Sequence, residues 1–246
     1  MNLHDMTPVD LTSAAEDHFL HGHFLSAWVV DYIDLEQSLA IGSVAQEELA
    51  HASTFLALAG LDDADRDKFV YERPVDAWRP SRLLGQRLHD FPAAVIRGLL
   101  LAHAAVLRAE SMRLSNTPDR GSTGVILAAE QQLHVTHWAQ WARLLSRDPR
   151  TADEFRQRAT TILPLGRDLF GVPSPATQHA EWSDLHAELV ARMGKELDEI
   201  VDVGSLLGPG PCERCPGVDQ PELVEVLGRI RELRLGPDDG VRGLYR

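Results

Sequence analysis

Sulfur that could crosslink the chain and lysine that could make it basic are both scarce. Cysteine occurs twice, at Cys212 and Cys215, too few for a disulfide framework. Lys68 and Lys195 are the lysines, so arginine supplies almost all the positive charge. Acids outnumber Lys and Arg by 37 to 24, giving a formal net charge of -13. Such a chain repels phosphate backbones and anionic lipid, so neither nucleic acid nor a membrane is an expected partner. No apolar run reaches the ~18 residues of a membrane span. The opening "MNLHDMTPVDLTSAAEDH" has no basic region ahead of an apolar core, as a signal peptide would. A cytoplasmic protein is expected. Also missing are a glycine-rich nucleotide loop, a Ser-His-Asp arrangement and a basic-aromatic patch. A flavin or Fe–S cluster of its own is therefore not expected, and any oxidation would draw electrons from a separate reductase.

Alternation of period two is absent over any useful length, and apolar residues recur with helical spacing instead. In the first helix the set is Phe19, Phe24, Leu25, Trp28 and Val29, with Thr12 or Ser13 as cap. The acidic turn Asp31–Glu36 follows. Asp34 is a good N-cap for a second helix, which runs through Leu39, Val44, Leu49, Phe55 and Leu58 to a stop at Gly60. Residues 61–90 read as irregular, with "DDADRDK" a charged turn and Pro74 and Pro80 forbidding a long helix. A third helix starts near Asp90 with Pro92 in its first turn. The stretch "SNTPDRGSTG" reads as a loop before a fourth helix, "VILAAEQQLHVTHWAQWARLL". A fifth follows from Thr151 and carries Pro164, then come the loop "VPSPAT" and a sixth helix from "EWSDLH". The Gly/Pro-rich tail is a loop, and a short helix "PELVEVLGRIREL" closes the pattern. The prediction is an all-α fold in one domain over 1–246, with an antiparallel bundle at about 12–148 and further helices at about 151–235.

Polar groups recur inside these apolar helices. Glu48 and His51, three apart in "AQEELAHAST", share a helix face. His134 has Gln131 three residues back and Glu130 four back. Helix three carries His103, and helix one carries Glu16, Asp17, His18 and His21. Counting from the turns puts these groups at similar heights in four helices. Ferritin-like di-iron bundles use that arrangement: a carboxylate from each of two helices and Glu-x-x-His from each of the others. Carboxylates neutralise and bridge the cations, and imidazoles leave positions open for dioxygen.

The stretches "HFLSAWVVDYIDLEQSLAIGSVAQEELAHA", "AAEQQLHVTHWAQWARLL", "FRQRATTILPLGRDLFG" and "PGVDQPELVEVLGRIREL" resemble, in order and spacing, the ferritin-like subunits of bacterial phenylacetyl-CoA epoxidase, the phenylacetate-catabolism oxygenases. The likeness is strongest to the structural subunit, which has lost its metal. Yet "EELAH" resembles the catalytic subunit's second-helix motif, which puts Glu48 and His51 at ligand positions. The catalytic Glu-Glu-x-x-His of helix four reads here Glu130-Gln131-Gln132-Leu133-His134, so a ligand carboxylate is replaced by Gln131. The helix-three acid falls at His103 and the helix-one acid at Asp17 or Glu16.

The resemblance implies iron, one or two ions, an oligomer with a homologous ferritin-like subunit and an external reductase if the chain is catalytic. Two arrangements are open. One metal sits on Glu48, His51, His103 and His134, or Gln131 and the imidazoles satisfy one another without metal. Glu130 could turn inward to replace Gln131, and Glu110 could do so in helix three. The corresponding functions are an oxygenase acting on an aromatic acyl-CoA or related substrate, a metal-free partner of a catalytic homologue, or a stand-alone oxygenase. His21 and His137 read as supporting or surface histidines. Trp28, Trp138 and Trp141 read as packing or as cavity lining. "PCERCP" reads as two reduced thiols in a loop.

Overall fold

The computed structural model describes residues 8–29, 34–88, 90–115, 117–171 and 180–235. Among these, every regular element is helical. The long helices are α1 (Pro8–Trp28), α2 (Leu35–Leu58), α4 (Phe91–Arg113) and α5 (Pro118–Arg147). Between them and after them come α3 (Asp63–Tyr71), α6 (Ala152–Ile162), α7 (Ala180–Leu197), α8 (Val203–Leu207) and α9 (Pro221–Leu235). α1 packs along α2, α4 packs along α5, and α6 and α7 cover further faces of α4.

Local chemistry sets the helix ends. Asp34 accepts from Gln37 N at 2.8 Å and caps α2, and Asp90 accepts from Ala93 N at 2.9 Å and caps α4. Gly60 adopts φ +93 just past α2, a conformation that costs glycine no Cβ clash, and Leu61 N bonds back to Leu56 O. α1 starts at Pro8 rather than at residue 12, because proline's fixed φ and missing N–H suit a first helical turn. Thr12 and Ser13 therefore lie inside the helix. Pro118 starts α5 in the same way, inside the expected loop. After Ile162 the chain tightens into a 3-10 segment, Leu163–Asp168, at Pro164. Thr151 precedes α6 without a side-chain cap bond; its hydroxyl donates to Leu145 O instead. The turn at 30–33, the "VPSPAT" loop and the chain beyond 235 lie outside the described residues.

α4 organises the core. Every residue from Ala93 to Ala109 is buried, so the helix is apolar all round and needs partners on every side. An 18-residue window of it has mean hydropathy 1.4, and 89% of that window is buried within the protein. Its apolarity thus serves the core. Gly98 lets α5 close on it: a Cβ there would lie 2.4 Å from Trp138 Cε2. Trp138 is fully buried by that contact. Trp28 and Trp141 both pack on Phe91, and Trp141 donates to Gln37 Oε1 at 2.9 Å. All three indoles make packing contacts.

Candidate metal centre

Glu48 and His51 lie on the face of α2 turned toward α1 and α5, and each is 3% exposed. Gly22 lets α1 approach at that height, since a Cβ there would stand 2.8 Å from Ala45 O and 3.2 Å from Glu48 Cβ. His18 of α1 donates from Nδ1 to Glu48 Oε2 at 2.5 Å, and its ring stacks on Phe55. From α5, Gln131 Nε2 donates to Glu48 Oε1 at 2.8 Å and to His51 Nδ1 at 3.0 Å. His134 donates from Nδ1 to the same Glu48 oxygen at 3.0 Å. Ligand-capable atoms of His18, Glu48 and His51 all lie within 4.8 Å of one another.

The hydrogen bonds fix the tautomers, because an ionised carboxylate can only accept. His51 gives Nε2–H to Glu130 at 2.8 Å and keeps a lone pair on Nδ1, facing inward. His134 gives Nδ1–H to Glu48 and Nε2–H to Glu47 Oε2 at 2.8 Å, so it is an imidazolium between two carboxylates. Burial opposes that charge, but the bonds to Glu48 and Glu47 outweigh it and raise the His134 pKa. Burial likewise opposes ionisation of Glu48. The charge of His18 and the hydrogen bonds from His134 and His18 prevail and hold the carboxyl well below its ordinary range. Burial, and then the charge of His18, depress His51. His21, one turn on from His18, is pushed down to about 3, chiefly by burial. Its Nδ1 and the Oε1 of Gln131 are buried without partners.

A second buried polar group lies beside this one. Asp17 receives Arg214 through Nη1 at 2.9 Å and Nη2 at 2.6 Å, Arg108 Nη2 at 3.1 Å and Ser81 N at 2.9 Å. Burial opposes its charge, yet Arg214 and Arg108 together lower the Asp17 pKa. Glu16 is bound by Arg73 and by Arg79 N, although burial still pushes it up to about 7. Asp168 accepts from Ser81 Oγ and Arg82 N.

The phenylacetic acid catabolic protein profile matches residues 7–200. The chain belongs to that family. Curated proteins give no match. For a phenylacetic acid catabolic protein the ferritin-like helical architecture is the expected one, and the all-α bundle agrees with it.

The structure gathers part of the sequence-predicted set. Glu48, His51, Gln131 and His134 meet in the interior; Glu130 reaches His51 from outside, with its side chain 43% exposed. Glu130 has not replaced Gln131. Asp17 and Glu16 do not join them, because arginines hold both. His103 does not either: it faces Arg192 of α7 and has no hydrogen-bond partner on either nitrogen. Burial, then Arg192, drops its pKa to about 4. Glu110, two turns further along α4, pairs with the same Arg192 at 2.8 Å. The inner set therefore comes from three helices, not four. Sequence reasoning placed His18 among the polar groups of helix one but not among the ligands. One residue along a helix turns the side chain by about 100°, so an acid aimed at Arg108 and Arg214 leaves its neighbour His18 aimed at Glu48.

A two-ion centre of the ferritin-like kind draws carboxylates from four helices. Among the described residues Glu48 is the carboxylate of the inner set, and that donor set does not fit two ions. The cysteines lie elsewhere, free and half-buried, with Arg82 against Cys215. Arg214, between them, is the residue that enters the core. A cleft of about 580 Å³ lined by Arg82, Gln86, Leu165, Cys215 and Gln220, and one of about 220 Å³ lined by Phe19, Leu49, Phe69 and Trp78, are lined by neither Glu48 nor Trp138.

Proposed function

We propose that the chain is an oxygenase subunit of the phenylacetyl-CoA epoxidase type, binding iron among His18, Glu48 and His51 and oxidising an aromatic acyl-CoA or related substrate. One observation carries this reading: three buried ligand-capable side chains from two helices converge within 4.8 Å, in a member of the phenylacetic acid catabolic family. Bound iron would supply the redox chemistry with dioxygen, and electrons would come from a separate reductase. The protein's own residues do the rest. Gln131 and His134 hold Glu48 in one orientation, and Glu130 fixes the His51 tautomer so that Nδ1 faces inward. The surrounding apolar side chains, Phe55 foremost, keep water from the site.

A second reading is favoured by the hydrogen bonds that Glu48 already makes. Glu48 is already matched by His18, Gln131 and the His134 cation, as a metal-free partner of a catalytic homologue would require. The experiment is purification from iron-supplemented cells, followed by elemental analysis and oxygen consumption with a reductant and an aromatic acyl-CoA. Iron in the wild type, lost with the oxygen consumption in Glu48→Ala, supports the oxygenase. Tight copurification with an iron-bearing homologous subunit, with no iron in this chain, supports the partner.

A further inference from the structure

The interior set has the composition of a different kind of site from the two-ion centre its architecture leads one to expect. Two imidazoles and one carboxylate converge: His18, His51 and Glu48. That set, placed on one side of a cation, is the donor pattern of mononuclear non-haem Fe(II) sites, which keep the remaining coordination positions open. We propose that this centre is mononuclear, holding one divalent cation on His18, Glu48 and His51, with His134 and Glu130 as positioning residues; the proposal rests on the oxygenase reading above.

Three observations carry it. First, the reach is right. Donors around a first-row cation at roughly 2.1 Å stand ~3–4 Å apart, so a set already within 4.8 Å needs small side-chain rotations rather than backbone movement. Second, the place of a second cation is taken by hydrogen-bond donors. Glu48 Oε1 is covered by the Gln131 amide and the His134 imidazolium, and neither presents a lone pair there. Glu48 Oε2 faces His18, on the side where the cation would sit; binding there would release the proton that His18 shares with Glu48 to solvent and free His51 Nδ1 from the Gln131 amide. The acids that could neutralise a second ion are committed: Asp17 to Arg108 and Arg214, Glu16 to Arg73. Third, an outer carboxylate stands where it supports a ligand. Glu130 accepts from the far nitrogen of His51, while Glu47 accepts from the positioning residue His134. Such a carboxylate–histidine contact orients a ligating ring, and losing one typically costs roughly 10–100-fold in metal affinity. Gln131 Oε1 and His21 Nδ1 are buried without hydrogen-bond partners.

The test uses the full-length protein, stripped by chelator and titrated anaerobically with Fe(II), with bound metal measured by equilibrium dialysis and elemental analysis. One ion per chain is expected. The nitric oxide adduct of the wild type should then give the half-integer-spin electron paramagnetic resonance signal of an isolated Fe(II), integrating to the bound iron. His18→Ala should weaken binding by at least about a hundredfold, and Glu130→Gln by roughly tenfold or more. His103→Ala should leave binding unchanged. Circular dichroism melts check that each variant is folded, and the wild-type stoichiometry and spin signal need no variant. Two ions per chain, or a spin-coupled nitrosyl pair, would overturn the mononuclear proposal and leave the oxygenase reading standing. One ion held equally well by a folded His18→Ala would overturn the ligand assignment. No bound ion would overturn the proposal and the oxygenase reading together.

Discussion

Gln131 donates its amide to Glu48 Oε1 across 2.8 Å, the one direct bond between α5 and Glu48 that carries no charge on the donor. Gln131→Glu exchanges that donor for a second carboxylate. Two acids this close in a buried site cannot both ionise freely. Without metal the variant should lose roughly 2–4 kcal/mol of stability, read from urea unfolding in chelator. Divalent metal should restore the loss and raise the binding capacity toward two ions. Equal unfolding midpoints for variant and wild type in chelator would count against the geometry of this pair.

Arg214→Ala should be the most damaging single change outside the candidate centre. It removes both short bonds to Asp17 and leaves that buried carboxylate with Arg108 as its remaining cation and Ser81 N as its other donor. Breaking a buried ion pair from one side costs about 3–5 kcal/mol. For a chain of this size that is a drop of roughly 10 °C in Tm, measurable by calorimetry. Asp17→Asn should behave similarly, and the double variant should cost less than the sum.

His103 supplies a pH dependence whose sign is set by burial. Its pKa falls from 6.5 to about 4 in the folded chain, so between those values the unfolded state binds a proton that the folded state does not. Stability is complete above pH 6.5 and is lost as pH falls toward 4. The loss attributable to this group is roughly 2 kcal/mol between pH 7 and pH 5. His21, depressed further, acts in the same direction. His103→Leu should flatten the stability profile over this range, and an unchanged slope would show that His103 is not shielded as described.

Gly98→Ala tests the α4–α5 contact. The added methyl would meet the Trp138 indole at 2.4 Å, and a rigid ring in a full core cannot yield cheaply. Overpacking of this kind costs about 1–3 kcal/mol. Trp138→Phe introduced alongside should recover part of the loss relative to Trp138→Phe alone, which chemical denaturation can resolve.

The long helices were legible because each has an apolar stripe and named stops: Asp34, Gly60, Asp90. α3 was not, for a physical reason. It fully buries none of its residues; Phe69, Val70 and Tyr71 at its end pack partly buried against the core, and the rest is the Asp62 cap with Arg66–Asp63 and Lys68–Asp65 pairs, so no repeated apolar period marks it. Within the site, Glu48, His51, Gln131 and His134 were readable from spacing along two helices. The rotation of α1 and α4 about their own axes was not. That rotation depends on Arg108 and Arg214 drawing Asp17, and on Arg192 facing His103, contacts between residues far apart in sequence. A signal was present in hindsight: Arg97 and Arg108 interrupt the most apolar helix, and an arginine there calls for a distant acceptor. Arg97 finds Gln86 O and the face of Phe24; Arg108 finds Asp17 and Leu169 O.

Arg214 also bears on how the span that matches the family should be handled in the laboratory. The profile stops at residue 200, yet the guanidinium that neutralises Asp17 arrives from beyond that point, on the loop that also bears both thiols. A fragment trimmed to the matched span would keep the helices carrying His18, Glu48 and His51 while stripping a counter-charge from the residue next to His18. Kinship and electrostatics thus draw the working unit at different places, and expression should follow the second.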